Sequence, residues 1–400
     1  MRKWIAAWML VGSSMALNAS PVMAQAADQQ SQIAQQGDTD MPKDLNVLFW
    51  SQVVRDQAFQ AMEHLPNVPM NIIKAGGTPY PLPAGEPLAI NVDAYMANQR
   101  HAGLIILVDG KVRLEKYALG FSADKRWTSF SVAKSFTSTL VGAAVKDGYI
   151  RSLDDDVTQY IPALKGSAYD GVSVRQVLTM SSGVRWNEDY EDPKSDVAQF
   201  NLQQAVAGED VTVTYMKKLP RAAKPGTVWN YNTGETNLIG VLVSSATGKT
   251  LADYLTEKVW KPYGMEMDAM WMLGASGHEV SGCCISASLR DYARLGQFTL
   301  GGGVAGGKQV VPDNWFSEAV TGYYNIGVPD RGYGYQWWTY ADGSYAAQGI
   351  FGQGIFIDPK RKLVIASNGN WPKATDHEGV GEQRQQFYKF IQATLDAEAR

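Results

Sequence analysis

The spacing of hydrophobic and polar residues changes character several times along the chain. Leu104–Val108 and Val112–Ala118 are apolar, β-rich runs joined through Asp109-Gly110, a dipeptide that suits a tight type I′ turn, so they predict a hairpin. Near the other end Gly332–Tyr340, Tyr345–Phe351, Gly354–Ile357 and Leu363–Ser367 read as further strands, with Asp358-Pro359-Lys360-Arg361 as a turn. Together these predict one antiparallel sheet. Helical patterns lie between them, over Ser135–Asp147, Val174–Met180, Glu235–Ala246, Leu251–Trp260 and Ser286–Leu300, several closed by glycines such as Gly148 and Gly248. A final helix over about Gly381–Ala397 is expected to pack on the sheet.

Strands at both ends enclosing a helical middle imply an α/β (α+β) domain over 46–397: an antiparallel sheet flanked by helices, with a mostly helical inserted subdomain. Its α/β part is expected at about 46–130 and 285–397 and its helical part at about 131–284. The cleft between two such parts is a usual place for a ligand.

The N-terminus has another pattern. Arg2 and Lys3 precede the apolar run Trp4–Leu17, and Val22-Met23-Ala24 supplies small residues before Gln25, which is the form of a secretory signal peptide over 1–24. The run is shorter than the ~20 residues a membrane span needs. An exported protein, periplasmic or secreted and without a membrane span after cleavage, is expected, its first segment to about residue 45 a flexible lead.

Composition narrows the chemistry. Hydrophobic residues at 45% and charged residues at 19% exclude disorder for the bulk of the chain. With 36 basic against 40 acidic residues and no long basic run, nucleic acid is not an expected partner. Cys283 and Cys284 are neighbours, a spacing that rarely forms a disulfide and gives too few ligands for zinc; they are read as small buried side chains. The four histidines, His64, His101, His278 and His377, show no close ligand pairing, although His377 could line the cleft. No metal and no cofactor is expected, and the oligomeric state stays open.

Ser131-Val132-Ala133-Lys134 is an S-x-x-K motif at the opening of a helical run, a spacing that stacks both side chains on one face. A serine hydroxyl is a poor nucleophile until a base takes its proton, and a lysine one turn on can do that if a dry or cationic site lowers its pKa. Ser122-Ala123-Asp124-Lys125 matches equally well but falls in a polar segment with no helix behind it, so Ser122 is read as a decoy.

Around Ser131 the run Thr128–Ser138, then Asp147-Gly148-Tyr149-Ile150, Leu153-Asp154-Asp155, Tyr160-Ile161-Pro162 and Val174–Gly183, resembles the serine β-lactamase and penicillin-binding superfamily in its class C-like branch. The resemblance runs from about Leu104 to Pro359 and implies a β-lactamase-like fold and a serine acyl-enzyme hydrolase. It places the family's Tyr-x-Asn tyrosine, which shares the proton with the lysine, at Tyr231, with Thr233 replacing the asparagine. Tyr323-Tyr324-Asn325 is a literal copy but comes out of order. The Lys-Thr-Gly element matches Gln348-Gly349-Ile350, whose residues carry no charge, so the resemblance implies that Gln348 and Gly349 face substrate while the Ser131 and Ile350 N–H groups form the oxyanion hole.

Within that branch Glu188–Pro193, Gly234-Glu235-Thr236, Gly264-Met265-Glu266, Gly282-Cys283-Cys284, Arg290–Arg294 and Ile350–Gln353 resemble 6-aminohexanoate-dimer hydrolases and related carboxylesterases, which implies that Tyr190 closes over a bound amide. The expected function is therefore an exported serine hydrolase of small esters or linear amides, with Ser131, Lys134 and Tyr231 catalytic. A β-lactamase or D-alanyl peptidase is the first alternative. A penicillin-recognition module that acylates without turnover is the second.

Overall fold

Residue pattern and tertiary pairing divide the work of building this fold. The computed structural model describes residues 41–42, 47–374 and 378–399, so the expected signal peptide, most of the lead and His377 lie outside the described residues. The strands are β1 (Met70–Ile73), β2 (His101–Val108), β3 (Lys111–Tyr117), β4 (Trp127–Thr128), β5 (Ala269–Met272), β6 (Ile285–Ala287), β7 (Val304–Ala305), β8 (Lys308–Gln309), β9 (Arg331–Tyr333), β10 (Trp338–Tyr340), β11 (Tyr345–Gln348), β12 (Gly354–Asp358) and β13 (Leu363–Gly369). Seven of them form an antiparallel sheet in the order β3-β2-β13-β12-β11-β10-β9. The expected β2–β3 hairpin is there, and Asp109 (φ 50°) and Gly110 (φ 74°) take the left-handed conformations a type I′ turn requires.

All seven residues of β13 are buried, because both faces of the sheet are covered. Leu363 and Ile365 pack with Phe387, Tyr388, Ile391 and Leu395 of the C-terminal helix Val380–Glu398. On the other face, Gly296 of the helix Leu289–Leu300 lies so close to Val364 and Ile355 that a Cβ would stand 2.5 and 2.8 Å from them. Beyond that face sits the helix Val132–Lys146, buried over Val132–Ala144, with the Thr233–Thr247 helix against it. A helix apolar or small on nearly every face is one that the fold encloses.

Three expectations are corrected. Gly332–Tyr340 is not one strand but β9 and β10, broken where Gln336 takes φ 63° and where Gly334 leaves no room for a Cβ, which would stand 2.0 Å from the Ala319 carbonyl oxygen. The expected helix Ser286–Leu300 begins at Leu289, because Ile285–Ala287 pairs as β6 with β4 and β5, and Ser288 then caps the helix through the Asp291 N–H. Pairing to distant strands overrides local helical preference there. That pairing belongs to a second sheet, β1-β5-β6-β4, which the sequence pattern did not announce. The third concerns Cys283 and Cys284, which are joined to each other by a disulfide. Adjacent cysteines rarely pair, but the turn into β6 puts Cys284 at φ 74° and brings the two sulfurs to the same side.

Among the described residues no helix is long and apolar enough to cross a membrane.

Candidate active site

Strand β4 delivers the chain to Ser131. Ser129 is tied across to the start of β6, its N–H donating to the Ile285 carbonyl at 2.7 Å and its Oγ accepting the Ile285 N–H at 3.0 Å. Phe130 follows at φ 43°, a left-handed conformation unusual for a bulky side chain, and Ser131 then stands at the N-cap of the Val132–Lys146 helix. What holds Phe130 there is an aromatic cluster: its ring lies 4.9 Å from Phe59 and 5.0 Å from Phe351.

That cluster has a second effect. Phe351 directly follows Ile350, so fixing Phe130 against Phe351 also fixes the Ser131 N–H relative to the Ile350 N–H. Gly349 closes the same gap, since a Cβ on it would stand 2.8 Å from the Ser129 carbonyl. Neither the Ser131 nor the Ile350 N–H makes a hydrogen bond among the described residues. Two preorganised, unspent donors beside a serine hydroxyl suit a developing oxyanion.

Lys134 stands one turn along, 1% exposed. Its Nζ donates to Ser131 Oγ at 2.9 Å and to the Gly282 carbonyl at 2.8 Å. Burial pushes its pKa down to about 8, against the opposing pull of the Glu188 carboxylate. Tyr231 lies with its ring centre 5.3 Å from that Nζ, and stacks on Trp338 at 5.5 Å. Burial first, then Glu188, raises the Tyr231 phenol, while a hydrogen bond with Ser131 opposes the rise. The site therefore pairs a cationic group eased toward neutrality with a phenol held in its protonated form.

Glu188 is a residue that sequence reasoning missed as an individual. It accepts hydrogen bonds from the Tyr190 hydroxyl at 2.6 Å, the Thr233 N–H at 3.0 Å, the Thr233 hydroxyl and Trp186 Nε1. Thr233 thus turns toward Glu188, and Tyr190, its phenol pushed up by burial and then by that carboxylate, is held next to Tyr231. The run Glu188-Asp189-Tyr190-Glu191-Asp192 was visible in sequence, but nothing in it marked which carboxylate turns inward.

At the end of β11 Gln348 is already engaged, donating from Nε2 to the Tyr340 hydroxyl at 2.6 Å and accepting at Oε1 from Arg384 Nη2 at 2.8 Å. The strand itself carries no cation, yet a buried guanidinium from the C-terminal helix stands directly behind it. Gly349 spends its N–H on the Gln353 carbonyl.

The decoys stay apart from this cluster. Ser122 bonds Asp124, and Lys125 reaches Gln60 and the Gly120 carbonyl instead. Tyr323 bonds Tyr335. His278 is exposed and paired with Asp210, and His101 is enclosed in β2, its pKa pushed down to about 3 by burial.

The chain is similar to known proteins over most of its length. Residues 88–387 match the Beta-lactamase family. A 6-aminohexanoate-dimer hydrolase of Paenarthrobacter ureafaciens is 32% identical over 283 residues, which is 67% of this chain and 72% of that protein. A Bacillus anthracis structure, described as that of a proposed 6-aminohexanoate-dimer hydrolase, superimposes with a TM-score of 0.75 at 22% identity, over 90% of this chain and 99% of the other. A family VIII carboxylesterase shares the fold with a TM-score of 0.59 at 18% identity, over 78% of this chain and 97% of that one.

Proposed function

The chain belongs to the beta-lactamase family and is a hydrolase of its fold, and we propose that it cleaves a small ester or linear amide through an acyl-enzyme on Ser131. The observation that carries this reading is the 2.9 Å contact from Lys134 Nζ to Ser131 Oγ inside a site dry enough to bring the lysine to about 8. A fraction of Lys134 is then neutral near pH 7 and takes the Ser131 proton as Oγ attacks the substrate carbonyl. The Ser131 and Ile350 N–H groups receive the oxyanion. Tyr231, kept protonated, passes a proton to the leaving oxygen or nitrogen and regains one from the Lys134 ammonium, so that both groups are restored and water repeats the sequence to release the acid. Tyr190, anchored by Glu188, covers the acyl site, and Gln348 and Gly349 form its far wall. The basic, apolar and small-residue pattern of residues 1–24 supports export to the periplasm or medium.

An uncharged β11 end favours an ester or a linear amide over a β-lactam, whose carboxylate would find no cation on that strand. β-Lactam or D-alanyl-peptide cleavage is the second reading, supported by the shared Ser131–Lys134–Tyr231 arrangement. The experiment is labelling by a fluorophosphonate probe beside a panel of p-nitrophenyl esters, a 6-aminohexanoate dimer and nitrocefin. Ser131→Ala is expected to abolish labelling and turnover while Ser122→Ala keeps both. Equal labelling of the two variants rejects the mechanism, and a burst without turnover on every substrate identifies a recognition module instead.

A further inference from the structure

The loop that receives Lys134 holds a feature the proposed reaction leaves unused. Gly282 gives its carbonyl to Lys134 Nζ at 2.8 Å, and Ile285 exchanges two hydrogen bonds with Ser129. Between these two contacts with the nucleophile segment lie only Cys283 and Cys284, joined by their disulfide. Cys284 takes φ 74°, a conformation that a residue with a Cβ disfavours. Its carbonyl accepts the Met272 N–H at 3.2 Å, while the Cys283 carbonyl accepts Trp271 Nε1 at 3.1 Å. Gly282 has no side chain to anchor it, and a Cβ there would stand 2.9 Å from Thr233 Cγ2. Its N–H is held by Asn237 Oδ1 at 3.0 Å, and its carbonyl lies in the peptide it shares with Cys283, whose N–H donates to the Val280 carbonyl at 3.1 Å.

We propose that the Cys283–Cys284 disulfide positions Lys134, and that its reduction by a small dithiol slows acyl transfer at Ser131. The inference rests on the catalytic reading of Lys134 given above. Cys283 is partly exposed and Cys284 is buried, so the attack is assigned to the Cys283 sulfur. In the step a dithiol attacks that sulfur and the Cys283–Cys284 bond breaks. The mixed disulfide is then resolved by the reagent's second thiol, so two electrons and two protons pass to the protein and the reagent leaves as its own disulfide. With the ring opened, Cys284 relaxes toward negative φ, the Cys283 N–H leaves the Val280 carbonyl, the Gly282 carbonyl turns with that peptide, and Lys134 loses one of its two hydrogen-bond partners. The groups facing Lys134 from other elements are the Tyr231 ring and the Glu188 carboxylate. A freed ammonium turns toward Glu188, away from Ser131 Oγ.

The test uses the folded, full-length enzyme. It is reduced with dithiothreitol, desalted without oxygen and checked by alkylation and mass for two thiols. The expected result is a fall of roughly tenfold or more in kcat for p-nitrophenyl butyrate and in the rate of fluorophosphonate labelling, the scale for a misplaced catalytic group. KM should change far less, and reoxidation should restore the rate. The Cys283→Ser/Cys284→Ser variant, which has no thiols to titrate, should stay at the reduced rate, ignore the dithiol and show the acidic limb of its kcat/KM profile moved to higher pH. Two thiols found before any reduction overturn the proposal, and so does full reduction with an unchanged rate in an enzyme that still needs Lys134. If Lys134→Ala proves as active as wild type, the catalytic reading fails first, and the two failures are told apart.

Discussion

Two buried ionisable side chains, each in the first turn of one of two packed helices, meet the same surroundings with opposite charge. Lys134 opens the Val132–Lys146 helix and Glu235 the Thr233–Thr247 helix, and each is 1% exposed. Each is hydrogen-bonded to a serine hydroxyl, Ser131 for the lysine and Ser182 for the glutamate. Burial brings both to about 8, the lysine from above and the glutamate from below. The difference lies beyond the serine. Past Ser131 come two unspent N–H groups and Tyr231. Past Ser182 come the Val184 N–H, donating to its oxygen at 3.0 Å, and the enclosed ring of Tyr169, whose hydroxyl donates to Glu235 at 3.3 Å. A perturbed pKa therefore reports desolvation, and only the geometry around it makes a site.

The sharpest way to break this comparison is to remove each group in turn. Lys134→Ala is expected to lower kcat/KM for a p-nitrophenyl ester by at least ~10², the scale for losing a positioned general base, with the fold intact by circular dichroism. Glu235→Gln keeps the shape and the hydrogen bond from Ser182, and kcat/KM should stay at the wild-type level. Comparable losses in both variants would mean that Glu235 belongs to the machinery.

The pH dependence separates the same pair. Lys134 acts as a base only when neutral, so kcat/KM should fall about tenfold per unit as pH drops below about 8, and Glu235→Gln should leave that limb where it is. Stability should behave oppositely at the two residues. Glu235 is raised on folding, so its contribution is complete below its ordinary pKa of 4.5 and is lost as pH rises through about 8. Lys134 is lowered, so its contribution is complete above 10.5 and is lost as pH falls through about 8. The difference in melting temperature between Glu235→Gln and wild type should therefore grow in favour of the variant from about pH 5 to about pH 9. A constant difference would show that the carboxyl is not neutral in the folded protein.

The half of the site nearest Ser131 was legible because its requirements are local. A serine and a lysine three apart at a helix start sit in one short readable block, and the resemblance of the Pro225–Thr236 block to its family placed Tyr231, just before the helix packed against the first. The β2–β3 hairpin was legible for the same reason, through Asp109-Gly110. The contacts that aim the oxyanion donors were not, since Phe59, Phe130 and Phe351 meet only after residues some 70 and 220 positions apart are folded together. The second sheet escaped because β4 and β6 are two and three residues long, too short to show a period. Arg384 behind Gln348 escaped because a helix pattern records a polar position and not what that position will touch.

The smallest expected effect concerns that arginine and the choice of substrate. Losing a charge-assisted hydrogen bond to a substrate carboxylate costs about 1.5–3 kcal/mol, or roughly ten- to a hundredfold. Measured against each uncatalysed rate, p-nitrophenyl butyrate should therefore be accelerated more than nitrocefin by about that factor. Gln348→Lys looks like the repair, but Arg384 Nη2 lies 2.8 Å from Gln348 Oε1, so the new ammonium would meet a buried guanidinium and be driven from the position a carboxylate needs. The single variant should leave the ratio nearly unchanged and lower the melting temperature. Gln348→Lys with Arg384→Gln removes the repulsion while keeping a hydrogen-bond partner, and should narrow the ratio. If the single variant narrows it as far as the double, Arg384 does not govern the charge at this strand, and the absence of a cation on β11 alone explains the preference.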